Sequence, residues 1–254
     1  MAHPFEVRKE IEVEATPDRV WEAIATGAGM DGWFLGTGNE VEPRLGGRVH
    51  VDFGEGGAGE STVTAWEPPR RFAHRGDEAP DGSLHAFEYT IEGRDGGRAF
   101  VRLVHSGFLV DDWEAEYDAL NEGDFMYLHL MAQYVKHFRG RAATNLAVWR
   151  EDSTGREAAI GRLQSALGLT GRAANGDRVE FTADGLGSID GVVDFVSPSI
   201  LGVRTDDALY RFLHSPQGVV YLGHHIYRDG LDKAATESAW RSWLDRAFSG
   251  SGER

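Results

Sequence analysis

The sequence contains no cysteine among its 254 residues. Without thiolates, a disulfide framework, a cysteine nucleophile and Cys-ligated zinc or iron–sulfur sites are all excluded. Basic residues are also scarce, because 26 Lys and Arg stand against 41 Asp and Glu and give a formal net charge of −15. Such a surface repels phosphate backbones and anionic headgroups, so we expect neither nucleic acid nor membrane as a partner.

Long apolar runs are missing as well. The longest apolar-rich stretch, Phe125 to Val135, contains His129 and Gln133 and is far shorter than a membrane span. The first residues, MAHPFEVRKEIEV, lack the basic-then-apolar pattern of a signal peptide. We therefore expect a soluble, cytoplasmic protein.

Alternation and turn residues predict an antiparallel sheet in the first half. Residues 5–15 read as a half-buried strand, and Thr16-Pro17-Asp18 is typical of a helix start. Five short runs bounded by glycine or proline follow between residues 48 and 106, as in a strand meander. Residues 114–138 then carry apolar side chains at helical spacing and predict a long helix.

The second half repeats this order of elements. A helix is predicted near residues 157–167, five strands between 178 and 227, and a closing helix over 231–248. Local echoes support duplication, since Gly46-Gly47-Arg48-Val49 resembles Gly176-Asp177-Arg178-Val179. His105 and His224 both lie on the predicted strand before the closing helix of their half. Residues 143–254 are either a degenerate internal repeat or an unrelated α+β domain that follows the domain of residues 1–142.

A series of motifs in the first 142 residues resembles the START-like (SRPBCC, Bet v 1-type) superfamily, and within it bacterial homologues of the activator of the heat-shock-protein ATPase. The matching pieces occur in the family's order along the chain: Ala15–Ile24, Trp33-Phe34, Val41–Gly47, Glu67–Phe72, His105–Phe108, and Gly123 at the opening of the long helix. The resemblance implies an α+β helix-grip fold, in which a curved antiparallel sheet wraps round a long C-terminal helix. It also implies a cavity between sheet and helix that holds a small apolar molecule.

Two positions depart from the family pattern. Family members usually carry tryptophan after the glycine of the last helix, where this chain has Asp124. The tryptophan often found on the strand after Pro-Pro-Arg is replaced by His74-Arg75. Both positions border the cavity in the family, so the resemblance does not transfer a ligand.

Other chemistry finds little support in the sequence. Gly54–Gly59 matches G-x-G-x-x-G, but a predicted strand follows it where a dinucleotide site needs a helix, so we interpret it as a hairpin loop. The adjacent His224 and His225 would point to opposite faces of a strand, and no H-E-x-x-H occurs, so no metal and no cofactor is predicted. Ser106 beside His105 likewise faces away from it, and no G-x-S-x-G elbow is present.

Acid–base work within a cavity needs only one or two titratable groups. The candidate catalytic residues are His105, His129 and Tyr127, with Asp112 or Glu116 near the mouth. The alternative for each is a hydrogen-bonded core or rim residue. Candidate ligand contacts share an apolar or aromatic side chain expected on the cavity wall: Trp33, Phe34, Trp66, Phe87, Phe108, Phe125, Tyr127 and Leu130.

Three functions remain open at this point. The first is a module that binds a small apolar or aromatic molecule in the cavity. The second is an enzyme resembling polyketide cyclases and aromatases that uses the same cavity. The third is a protein-interaction role, as the resemblance to the chaperone-ATPase activator suggests, in which the acidic surface meets a basic protein partner.

Overall fold

The computed structural model describes residues 2–34, 36, 38–52, 57–110 and 112–249. The chain divides into two units, Met1–Ala142 (unit 1) and Ala143–Arg254 (unit 2). Each unit is α+β, with one antiparallel sheet and a long helix at its C-terminal end. This is the helix-grip fold that the sequence predicts.

Unit 1 is built on a seven-stranded sheet of order β1-β7-β6-β5-β4-β3-β2. Its elements follow the predicted alternation closely, and their bounds are β1 His3–Val13, α1 Pro17–Ile24, α2 Gly27–Met30, β2 Glu40–Val41, β3 Arg48–Asp52, β4 Ala58–Glu67, β5 Arg71–Gly76, β6 Leu84–Arg94, β7 Arg98–Leu109 and α3 Trp113–Gln133. One π-helical turn, Tyr134–Phe138, extends α3. The first strand pairs with the last, so that the chain closes the sheet next to the helix.

The long helix α3 packs on β1 and β7. Phe5, Val7 and Leu109 form a buried cluster against Tyr117 and Leu120 of the helix. Because side chains alternate along a strand, this contact identifies one face of the sheet as the inner face.

Unit 2 has a six-stranded sheet of order β8-β13-β12-β11-β10-β9. The bounds are β8 Thr144–Glu151, α4 Arg156–Ala166, β9 Arg178–Ala183, β10 Gly187–Val196, β11 Ile200–Arg204, β12 Ala208–His214, β13 Val219–Ile226 and α5 Lys233–Ser249. Its buried core joins the inner sheet face to Trp240, Trp243 and Leu244 of α5. Here too the first strand pairs with the last.

Three expectations need comment. Gly123 does not open the long helix, because α3 begins ten residues earlier at Trp113. The strand β8 is absent from the predicted elements, although Leu146 and Val148 are buried on it. The predicted hairpin loop Gly54–Gly59 falls partly outside the described residues, and β4 begins within it at Ala58. Within the ranges given above, none of the helices combines the length and apolar character needed to span a bilayer.

Candidate functional site

A hydrogen-bonded chain of three polar side chains lies on the inner face of unit 1. His105 Nδ1 is 2.9 Å from Asp124 Oδ2, and His105 Nε2 is 3.0 Å from His85 Nδ1. The side chains of His105 and Asp124 are only 3% and 10% exposed, whereas His85 is half-buried. The chain therefore runs from a buried carboxylate on α3, through a buried imidazole on β7, to an accessible imidazole on β6.

The register of the sheet explains why these groups meet. His105 stands opposite Val7 on one side and Phe87 on the other, so it shares the inner face with both. His85 lies two residues before Phe87 and therefore on the same face. Asp124 lies one helical turn from Leu120, which packs in the inner cluster.

The hydrogen-bond pattern assigns the protons. A carboxylate only accepts, so His105 donates its Nδ1–H to Asp124. The Nε2 of a neutral His105 is then the acceptor for the Nδ1–H of His85. This leaves the Nε2 of His85 as the free lone pair at the accessible end of the chain.

Aromatic rings surround the central imidazole. Phe87 stacks on His105 with ring centroids 4.0 Å apart, and Phe5 meets it edge-on at 5.0 Å. His74 stacks on the other side of Phe87 at 5.1 Å, and its Nδ1 is 2.8 Å from the Ser61 hydroxyl oxygen. The rings therefore form a continuous wall along strands β5 to β7.

Burial favours the neutral form of the outer histidines. It lowers the pKa of His74 from 6.5 to about 4, with the neighbouring His105 acting in the same direction. Burial also lowers the pKa of His85, and His105 adds to this, while the Asp124 carboxylate opposes it. Burial, helped by the charge of Asp124, raises the pKa of Tyr89 on the same face. Near neutral pH, burial therefore keeps both outer histidines in the neutral form.

Several rings on the inner face are only half-buried. Trp66, His74, His85 and Phe87 are half-buried, whereas Phe72 and Tyr89 on the same face are buried. Two surface depressions are described, one beside Glu12 and Arg98 and one between α4 and α5, and neither is lined by these rings. The half-buried rings therefore form a wall on the inner face, where the sequence predicts a ligand-binding cavity.

The candidate ligand contacts fall into separate groups. Trp66 and Phe87 lie on the inner wall, where Trp66 contacts Phe72 at 5.6 Å and Phe72 contacts His74 at 5.4 Å. Phe34 meets Tyr127 of α3 at 4.9 Å, and Trp33 packs beside Phe34 at 5.4 Å.

The remaining candidates lie elsewhere. The expectation that Phe108 faces the long helix is wrong, because its neighbour Leu109 takes that face and Phe108 is 43% exposed on the other. Phe125 is 39% exposed on α3, and Leu130 is fully buried. His129 lies roughly 140° round the helix from Asp124 at about 100° per residue, so it belongs to another face.

Sequence reasoning identified His105 but not its partners. His85 carried no signal, since its place beside His105 depends on a strand register that sequence alone does not give. Asp124 and His74 did carry one, because they are the two positions where the chain departs from the tryptophans of the family pattern. Within the described residues, no group of three or more His, Asp or Glu side chains is arranged to hold a metal.

The model of the family described as polyketide cyclase / dehydrase and lipid transport matches residues 4–148. No curated protein sequence matches the chain.

Solved structures with similar folds cover either one half of the chain or nearly all of it. Protein MLL2253 from Mesorhizobium loti is 19% identical, covers 53% of this chain and 98% of its own, and has a TM-score of 0.47. The Aha1 dimer from Colwellia psychrerythraea is 20% identical, with coverages of 54% and 99% and a TM-score of 0.44. The di-domain ARO/CYC BexL from the BE-7585A biosynthetic pathway is 13% identical, with coverages of 98% and 99% and a TM-score of 0.47.

Proposed function

From the premise that this chain belongs to the polyketide cyclase/dehydrase and lipid transport family, we propose that unit 1 binds a small aromatic or apolar molecule against its inner sheet face. The observation that carries this proposal is the row of half-buried rings on β4 to β6, with the accessible nitrogen of His85 at its edge. Ring faces supply apolar contact area, and a single polar group at the edge orients a ligand.

The expected affinity follows from the apolar surface area that the ligand buries on binding. Covering about 300 Å² of apolar ligand surface contributes roughly 7 kcal/mol at about 25 cal/mol/Å². Lost translational and rotational freedom offsets part of this, so we expect binding weaker than the few micromolar that about 7 kcal/mol alone would give.

The binding test compares two phenylalanines of the same sheet on opposite faces. N-phenyl-1-naphthylamine is an aromatic probe whose fluorescence rises on binding. Because it is uncharged, the acidic surface does not repel it. Phe87→Ala removes a stacked ring of the inner wall and should weaken binding about tenfold, since such a contact contributes about 1–1.5 kcal/mol. Phe108→Ala, on the outer face, is the matched control and should bind like the wild type.

The comparison has clear contrary results. Equal affinity for the wild type and a folded Phe87→Ala variant would place the probe elsewhere. Saturable binding that Phe108→Ala weakens instead would place it on the outer face. If the alanine variant unfolds, Phe87→Leu takes its place in the affinity comparison, because it keeps apolar volume but loses the ring.

A second candidate function is acid–base catalysis on the bound molecule, and the Asp124–His105–His85 chain favours it. When His85 Nε2 takes a proton from a carbon next to a carbonyl, its Nδ1 proton can pass to His105 Nε2. The positive charge then resides on His105 beside the Asp124 carboxylate, and reversal of both transfers returns the proton to the molecule. No oxidant or other co-reactant is required.

Hydrogen–deuterium exchange tests this candidate. Benzoylacetone, an aromatic 1,3-diketone, exchanges its central C–H in D₂O, and NMR follows the rate. The full chain should accelerate the exchange saturably, and His85→Ala should abolish the acceleration while still binding the naphthylamine probe. If exchange is accelerated equally by His85→Ala, or is not accelerated by the wild type, catalysis by the hydrogen-bonded Asp124–His105–His85 side chains is refuted. The binding proposal would still stand.

The third function, a protein-interaction role, has no observation in the described residues that selects it. Among the described residues, the exposed large apolar side chains are Leu45, Phe108, Trp113, Phe125 and Trp149.

A further inference from the structure

The two sheets share one register. On the inner face of unit 1, cross-strand pairing connects a row of five residues from β1 to β4, and in unit 2 it connects the matching row from β8 to β10. In strand order these rows are Val7, His105, Phe87, His74 and Val63, and Leu146, His224, Tyr210, Val203 and Val193. His224 therefore occupies in unit 2 the position that His105 occupies in unit 1.

The turns before β3 and β9 agree in detail. In unit 1, Gly46 N donates to Val63 O at 2.9 Å, and Val63 N donates to Gly47 O at 2.8 Å. In unit 2 the same two bonds recur, each at 2.8 Å, from Gly176 N to Val193 O and from Val193 N to Asp177 O.

A bulge follows at the same place in each unit. The register shifts between Val63 and Ala65 in unit 1, and between Val193 and Phe195 in unit 2. Bulges are specific features of a strand pair, so a shared bulge next to shared turn bonds indicates common descent of the two halves.

What differs is the polarity of the inner face. Pairing places Ala208 in unit 2 where unit 1 has His85, and Val203 where it has His74. Val148 of β8 likewise takes the position of Lys9, whose ammonium group donates to Asn121 of α3 at 2.7 Å. The positions of His85, His74 and Lys9 are thus all apolar in unit 2.

Only the histidine remains, and it is enclosed. His224 is 1% exposed and Trp240 of α5 is 0% exposed, with ring centroids 4.4 Å apart. Among the described residues, neither His224 Nε2 nor Trp240 Nε1 has a hydrogen-bond partner. His224 Nδ1 receives a long bond of 3.3 Å from the Arg211 backbone N–H.

A buried polar group without a partner costs stability, so such groups call for an explanation. In unit 1 the equivalent imidazole uses both nitrogens, one toward Asp124 on the helix and one toward His85. In unit 2 the indole ring of Trp240 lies on the helix side of His224, and Ala208 stands at the position that His85 has in unit 1. His224 has thus kept the position of His105 without its hydrogen-bonded partners.

We propose that unit 2 is a second copy of the helix grip in which Trp240 fills the site and His224 is the remnant of the polar chain, so that the protein has one binding site per chain, in unit 1. The count of one site rests on the binding function proposed above. The claim that His224 no longer serves a polar site stands apart from it.

A matched pair of leucine variants in the full chain tests the remnant. His224→Leu removes a partnerless polar group and should leave the melting temperature unchanged or raise it. His105→Leu, the equivalent change in unit 1, leaves the Asp124 carboxylate buried without its donor and should lower the melting temperature by several degrees. Equal losses in the two variants, or a larger loss for His224→Leu, would overturn the proposal.

Probe stoichiometry tests the number of sites. The full chain should bind one equivalent of N-phenyl-1-naphthylamine, with unchanged stoichiometry in His224→Leu. Two equivalents in the wild type, with one lost on substitution of His224, would overturn the proposal. No binding at all would refute the proposed function, whereas the leucine pair would still decide whether His224 is a remnant.

Discussion

The hydrogen bond between Asp124 on α3 and His105 on β7, 19 positions apart in sequence, predicts strong energetic coupling between the two residues. Asp124→Leu leaves the His105 Nδ1–H buried without an acceptor, which costs about 1–3 kcal/mol. His105→Leu leaves the carboxylate without its donor, which costs about 3 kcal/mol or more. In the double variant both polar groups are gone, so its loss should fall well below the sum of the two.

The difference is the coupling energy of a double-mutant cycle, and we expect about 1.5–3 kcal/mol. Calorimetry of the full chain measures it, with each kcal/mol moving the transition by about 2–4 °C in a chain of this size. Ser106→Ala is the control, because its side chain points to the opposite face from His105. Additive losses, with a coupling below about 0.5 kcal/mol, would refute the pairing.

Three further predictions concern single positions. Burial lowers the pKa of His224 to about 3 from 6.5, so the unfolded chain takes up a proton between these values and the folded chain does not. Stability should therefore fall as pH drops from about 6.5 toward 3. In urea denaturation, the free energy of unfolding of His224→Leu should fall less steeply than that of the wild type, by about 1.4 kcal/mol per pH unit, and equal slopes would contradict the burial of this ring. Gly107→Ala should destabilise strongly, because φ is +155° and a Cβ would lie 1.8 Å from the Leu84 carbonyl oxygen. Gly123→Ala in α3 meets nothing within 4 Å and should be neutral or stabilising, so equal melting temperatures for the two alanine variants would contradict this. Trp33→Phe removes the 2.9 Å bond from Trp33 Nε1–H to the Ala23 carbonyl and should lower the free energy of unfolding by about 1 kcal/mol, and an unchanged denaturation midpoint would count against that bond.

The sequence predicts most of this fold because alternation and glycine turns are local signals. Strands β3 to β7 and helix α3 fall close to their predicted ranges, since each carries its own periodicity. The strand β8 is not predicted, although its apolar residues alternate. Its partner β13 lies about seventy residues later, and local patterns carry no information about such pairing.

The site was only partly predictable for the same reason. The sequence predicts His105 as a candidate, because it is a histidine on the strand before the long helix. Its partners become visible only once the register of β6 against β7 and the rotation of α3 are known. Phe108 is predicted on the wrong face of its strand, because a shift of one residue in the assumed register exchanges the two faces of a strand.

Histidine NMR with the naphthylamine probe tests the account most directly. Side-chain nitrogen signals of the full chain, assigned by single substitutions, report tautomer and surroundings for each imidazole. We predict that His85, His105 and His74 shift saturably with one equivalent of probe, while His224 does not move. Movement of His224, or an unchanged unit 1 set despite saturable binding, would contradict the account.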